Sequence, residues 1–178
     1  MSPLLVVLAS SLLAFEPGAA DLFEAARSND VVSTKRLIAA AHADVNKAGP
    51  DGFTPLILAS YSGSPEVVEL LLQNHADVHT GSRMGTALMA ASFRGYTDIV
   101  AKLLKAGARV NETNEAGGTA LMFAALSGRT EVVQLLLDEG AEAGVRDVRG
   151  LDAATLAEQQ GNQELADRLR RAEPPLRK

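Results

Sequence analysis

The sequence predicts an all-α repeat solenoid of about five helix–turn–helix units with short β-turn or hairpin tips, and three observations carry that prediction. First, a short block recurs: Gly52-Phe53-Thr54-Pro55-Leu56, Met84-Gly85-Thr86-Ala87-Leu88, Gly117-Gly118-Thr119-Ala120-Leu121 and Gly150-Leu151-Asp152-Ala153-Ala154, its Thr/Asp position stepping by 32, 33 and 33 residues. Self-similarity at such a period marks stacked supersecondary units. Second, 47% of the 178 residues are apolar but only 4% are aromatic, and Ala (30) and Leu (25) dominate. So few large side chains favour thin repeated layers of helix over one thick core. Third, every block is followed by a glycine (Gly63, Gly95, Gly128, Gly161) and then by an acid three residues on (Glu66, Asp98, Glu131, Glu164).

Residues 4–15, LLVVLASSLLAF, form an apolar run of 12 followed by Glu16, Pro17, Gly18, Ala19 and Ala20. A membrane-spanning helix needs about 20 apolar residues. The run fits the apolar region of a secretory signal, with Gly18 and Ala20 at the two positions that must be small and cleavage after Ala20. Residues 1–20 are therefore expected to direct export to the periplasm. The alternative is an uncleaved apolar cap on a cytoplasmic protein.

Within each unit the residue choices have physical reasons. Thr54, Thr86 and Thr119 are N-caps of a first helix, and Asp152 replaces Thr because its carboxylate accepts the same backbone hydrogen bonds. Pro55 takes the first helical position, where its missing N–H costs nothing. The glycine turns the chain between two short helices. The following acid lies in the first turn of the second helix, where the helix dipole favours negative charge. An aliphatic stretch fills that helix: Val67-Val68 with Leu70-Leu71-Leu72, Ile99-Val100 with Leu103-Leu104, Val132-Val133 with Leu135-Leu136-Leu137. Gly107 and Gly140 end it in a left-handed conformation, and His42 and His75 hold that same position as residues tolerant of positive φ. Neither helix buries its apolar face alone, so the units must stack.

Several chemistries are excluded or unsupported. No cysteine is present, which removes disulfides, thiolate zinc sites and cysteine nucleophiles. A net charge of −5 argues against a binder held by nucleic-acid phosphates. No G-x-S-x-G, P-loop, H-E-x-x-H or calcium-loop pattern occurs. A metal site across His42, His75 and His79 is disfavoured, because stacked helices lie about 8–10 Å apart while a His–metal bond is about 2 Å. Neither catalytic residues, cofactor nor metal is expected.

The quoted motifs resemble the ankyrin repeat, whose pattern is G-x-T-P-L-H-x-A-A, then G-x-x-E-V-V-x-L-L-L, then G-A-D-V-N. Units are placed at about 21–49, 50–82, 83–115, 116–148 and 149–172, the first and last as caps, followed by a short basic tail at 173–178. The family's motif histidine is replaced by Ile57, Met89, Met122 and Thr155, which puts apolar packing where that family has a hydrogen-bond network. A signal followed by a short array is similar to bacterial periplasmic ankyrin proteins, for which support of a heme catalase and peroxide resistance has been proposed. The resemblance thus implies a non-enzymatic, monomeric scaffold with a protein partner, catalase being one such client, bound in a concave groove.

The groove's residues are read from the sequence. The position two residues before the inter-helix glycine carries Tyr61, Phe93 and Leu126 in the central units, flanked by Arg27 and Gln159. Tyr61, Phe93 and Leu126 form an apolar strip edged by Ser62 and Arg94, the composition of a protein-binding hot spot. Phe53 and Arg83 add tip residues, and Arg83 with Arg94 is expected to make a basic spot that receives a partner's carboxylate. The end of the chain from Arg168 to Lys178 carries a net +4, which offers a weaker attraction to an anionic surface.

Overall fold

A computed structural model of the chain describes residues 21–40 and 44–172. The leader at 1–20, His42 and the tail at 173–178 lie outside the described residues. Among those described, the chain runs through ten helices paired in five units: α1 (Leu22–Arg27) with α2 (Val31–Ala39), α3 (Pro55–Ser62) with α4 (Pro65–Gln73), α5 (Ala87–Arg94) with α6 (Thr97–Lys105), α7 (Ala120–Leu126) with α8 (Thr130–Asp138), and α9 (Ala153–Gln159) with α10 (Gln163–Ala172). The expected all-α solenoid is what forms.

The helix starts follow from the recurring block. Thr54 Oγ1 accepts the Ile57 N–H at 3.3 Å, Thr119 Oγ1 accepts the Met122 N–H at 3.3 Å, and Asp152 Oδ1 accepts the Thr155 N–H at 2.8 Å. Thr86 departs from the expectation: it has the extended N-cap backbone but makes no side-chain cap bond. The cause lies in its tip. Three tips close over five residues, with Gly49, Asn114 and Asp147 N–H groups donating to the Phe53, Gly118 and Leu151 carbonyls. The tip before Thr86 closes over four, Ser82 and Gly85 bonding each other reciprocally at 3.0 Å, and this missing residue is the short 32-residue step. In that tighter loop Thr86 Cγ2 stands 3.4 Å from where a Cβ on Gly81 would lie.

Between helices, the first unit uses Asn29 at φ 59° where the later units use glycine, a substitution the motif pattern does not reveal. His75 ends α4 at φ 66°, the conformation that Gly107 (95°) and Gly140 (84°) adopt after α6 and α8. The left-handed reading of His75 is thereby met.

The core is built of two columns. Ala25, Ala59, Ala91, Ala124 and Ala157 lie one above another on the first helices, each at most 1% exposed. Leu71, Leu103, Leu136 and Leu169 do the same on the second helices and are fully buried. Alanine lets first helices approach closely, whereas leucine holds second helices apart. Accordingly, successive first helices pack far more extensively than successive second helices. The stack must curve toward the closely packed row, so the first helices and tips line its inner side.

Candidate functional site

Tyr61 is the open end of the strip. It projects from α3 and is 48% exposed, unusual for an aromatic ring in a chain with so few. The Arg94 guanidinium lies over it, 5.1 Å from the ring centroid, and also 5.7 Å from the centroid of Tyr96, whose hydroxyl accepts an Arg94 N–H at 3.2 Å. These are cation–π distances. Hydrogen bonding to the Tyr96 hydroxyl raises the Arg94 pKa above its ordinary value.

Phe93, from the same turn of α5, is half-buried and meets Phe123 edge-on, with ring centroids 6.4 Å apart and an interplanar angle of 85°. Phe123 lies one helical turn before Leu126 on α7 and shares its face. Phe123, Leu126 and Leu156, with Arg149 and Asp147, line a cavity of about 100 Å³ between the fourth and fifth units. Sequence reasoning missed Phe123; the i, i+3 spacing to Leu126 was the available signal. Phe93 and Phe123 thus pack between the third and fourth units, and Tyr61, Phe93 and Leu126 hold the same repeat position on successive units.

The basic spot forms elsewhere than expected. Arg83 sits in the tip at the N-terminal side of α5 while Arg94 is that helix's last residue, so the two stand at opposite ends of α5. Arg83 Nε instead donates to Glu115 Oε2 at 3.1 Å in the next tip, which supplies its carboxylate from within the chain. The neighbour of Arg94 is Arg129. Its Nε donates to the Phe93 carbonyl at 3.3 Å, and its Cδ stands 2.6 Å from where a Cβ on Gly95 would lie. Arg129 replaces Arg83 as the second cation beside the strip because the residue after each inter-helix glycine folds back over the preceding unit: Tyr96 covers Gly63 in the same way.

Phe53 is half-buried in its tip, where Pro50, Phe53, Met84 and Val148 border an open concavity of about 1140 Å³. Met84 and Val148 are 67% and 75% exposed. His75 is exposed, and His79 Nδ1 lies 3.7 Å from Glu112 Oε2. Among the described residues no three His, Asp or Glu side chains converge as a metal site, and no helix is long and apolar enough to cross a membrane. At the end of the stack, Arg170 pairs with Glu158 and Arg168 bonds Gln134, so two of the basic residues expected to act as a tail are engaged within the array.

The repeat geometry agrees with comparison to known proteins. A family model described as "Ankyrin repeats (3 copies)" matches residues 22–114 and 88–176. The chain belongs to the ankyrin repeat family. Over 92 residues, 51% of this chain, it is 40% identical to "Probable E3 ubiquitin-protein ligase XBOS31" of Oryza sativa subsp. japonica, covering 21% of that protein. It is 36% identical over 92 residues to "Ankyrin repeat and SAM domain-containing protein 6" of Rattus norvegicus, covering 10% of it. A third relative, "Notch-regulated ankyrin repeat-containing protein" of Homo sapiens, is 40% identical over 62 residues, 34% of this chain and 54% of that protein. The chain thus spans about a fifth of the first relative, a tenth of the second and about half of the third. Ankyrin repeats are generally non-enzymatic modules for protein–protein interaction, and these matches lie in that shared module.

Proposed function

We propose that this chain is a non-enzymatic docking scaffold whose partner is a protein seated on the inner face along Tyr61, Phe93, Phe123 and Leu126. The observation that carries the reading is the exposed Tyr61 ring held under Arg94 at 5.1 Å, beside a half-buried aromatic pair. Hot-spot anchors of this kind are rigid before the partner arrives, so little side-chain ordering opposes binding. The ligase activity printed for the rice relative is not transferred, because the matched segment is a small part of that protein.

The apolar run at 4–15 with small residues at 18 and 20 supports export, which makes the partner a periplasmic protein. N-terminal sequencing of protein from the native source is expected to begin at Asp21; an intact Met1 in cytosol overturns export. An antioxidant enzyme such as catalase is the client class that the resemblance to periplasmic ankyrin proteins supplies. Affinity capture with wild type and with Tyr61→Ala/Phe93→Ala tests the groove directly. The retained protein is expected to be lost with the double variant while its helical circular dichroism persists, and equal retention by both refutes the groove. If the protein retained is not a catalase, the client assignment falls and the groove reading stands.

A further inference from the structure

Six of the eleven arginines among the described residues find an internal carboxylate: Arg27 with Glu24, Arg83 with Glu115, Arg109 with Glu112, Arg146 with Asp152, Arg149 with Asp147 and Arg170 with Glu158. Arg94 and Arg129 do not. Neither forms an ion pair among the described residues, and although Arg36, Arg168 and Arg171 also form none, these two stand at the aromatic strip on the third and fourth units, with the Arg129 side chain against the Phe93–Gly95 backbone that carries Arg94. What holds them carries no formal charge: the Tyr61 and Tyr96 rings and the Tyr96 hydroxyl for Arg94, and the Phe93 carbonyl for Arg129. The two guanidinium groups are thus oriented without being neutralised. A guanidinium has five N–H donors, and one on each is used here, which leaves forked pairs free. Beside them stand the exposed Tyr61 and the half-buried Phe93.

We propose that Arg94 and Arg129 form a carboxylate clamp, so that the segment docked on this groove is an acidic stretch of a polypeptide whose Asp or Glu side chains alternate with an apolar anchor. The inference rests on the groove reading above and specifies the chemistry of its occupant. Planar guanidinium forks match carboxylates in bidentate geometry. A nucleic acid or an anionic membrane presents an extended field of charge that a chain of net −5 repels, whereas one or two carboxylates are addressed locally, within the Debye length.

The test is selection of random 12-residue peptides displayed on phage against the full chain, followed by fluorescence anisotropy with synthetic copies of the winners. The winners are expected to be enriched in Asp and Glu around an apolar residue. Their affinity is expected to fall at least tenfold on Arg94→Gln/Arg129→Gln and to the same extent when their own acids are changed to amides, with the two losses overlapping instead of adding. Arg94→Lys, which keeps the charge but not the fork, is expected to lose several-fold. A retained helical circular dichroism signal and a cooperative melt with its midpoint above the assay temperature establish that the variants are folded. Winners without acidic enrichment, or bound equally by Arg94→Gln/Arg129→Gln, overturn the clamp. If Tyr61→Ala/Phe93→Ala still abolishes their binding, the groove survives that failure, and if binding ignores both double variants the groove reading fails as well. Failure to select any peptide, or equal binding to phosphatidylserine vesicles or single-stranded DNA, also counts against the clamp.

Discussion

The first three joints between neighbouring units are not alike, and the middle one of the three is built differently from those beside it. Where the first unit meets the second, Asn46 grips the closing turn of its neighbour, donating to the His75 carbonyl at 3.2 Å and accepting the Asp77 N–H at 2.7 Å. Where the third meets the fourth, Asn111 repeats the grip on the Gly140 carbonyl (3.1 Å) and the Glu142 N–H (2.9 Å). Between the second and third, His79 stands in the asparagine's place and reaches only toward Glu112, at 3.7 Å. An imidazole cannot offer an amide's paired donor and acceptor side by side. That middle joint is closed at its opposite edge instead, by Tyr96 lying over Gly63, Arg94 over Tyr61, and Lys102 pairing with Glu69. Of these three joints, the one without the asparagine clasp is therefore the one sealed by the aromatic–arginine cluster that also edges the groove.

The largest effect is expected from Gly63→Ala. Gly63 has φ 77°, and an added Cβ would lie 2.5 Å from Tyr96 Cζ, so the left-handed cost of about 1–2 kcal/mol is joined by displacement of a ring that closes the joint. A total loss of about 3 kcal/mol follows, taking overpacking as about 1–3 kcal/mol. Gly140→Ala is the control: φ is 84° but nothing lies within 4 Å of the added carbon, so only the conformational cost of about 1–2 kcal/mol applies. Equal losses in thermal or urea melts would show that Tyr96 does not seal the middle joint.

Asn111→Ala comes next. Two backbone groups of the fourth unit lose their partners to water, which predicts a loss of about 1–2 kcal/mol. His79→Ala, which removes no such pair, is expected to change stability by less than about 0.5 kcal/mol. A comparable loss from both would erase the distinction between the joints.

These contrasts mark the boundary of what the sequence makes legible. Caps, inter-helix glycines and aliphatic second helices are local devices repeated in phase, so the period exposes them; even the left-handed His75 follows from alignment with Gly107 and Gly140. Asn29 escapes because it performs a glycine's task without a glycine, and Thr86 because a one-residue shortening of its tip changes a side-chain direction. The groove strip of Tyr61, Phe93 and Leu126 follows from repeat position, but the partnership of Arg94 with Arg129 does not. It depends on which way a long side chain folds over the preceding unit, and Arg83 shows the converse, since its carboxylate arrives from the next tip. Contacts between units separated by a full repeat are tertiary facts with no local signature.

A smaller, favourable effect is expected from His79→Asn, which restores the clasp. Its targets would be the Gly107 carbonyl and the Arg109 N–H, the counterparts of the groups held by Asn46 and Asn111, and neither is hydrogen-bonded among the described residues. The gain predicted is about 1 kcal/mol, read as a raised melting temperature, together with lower hydrogen-exchange rates for the Arg109 amide. A raised midpoint without protection at Arg109 would locate the gain elsewhere than in a new clasp.

The smallest effect concerns the turn that presents His79. The Asp77 carboxylate accepts the His79 N–H at 2.9 Å and the Thr80 hydroxyl at 2.8 Å. The backbone bond first, then the hydroxyl, hold its pKa below the ordinary carboxylate value of 3.8. The folded state therefore binds the proton more weakly than the unfolded chain, and the resulting stability is present above the unfolded pKa and lost as pH falls through the lower folded one. The site is exposed, so the contribution is small. Melting temperature measured from about pH 5 down to about pH 3 is expected to fall less steeply for Asp77→Asn, whose amide oxygen still accepts the His79 N–H while its NH2 faces the Thr80 hydroxyl, and which carries no titrating charge. At neutral pH the variant is expected to be slightly less stable than wild type. Parallel pH profiles would mean that Asp77 titrates alike in both states, and the middle joint would then owe nothing to the charge of the turn that carries it.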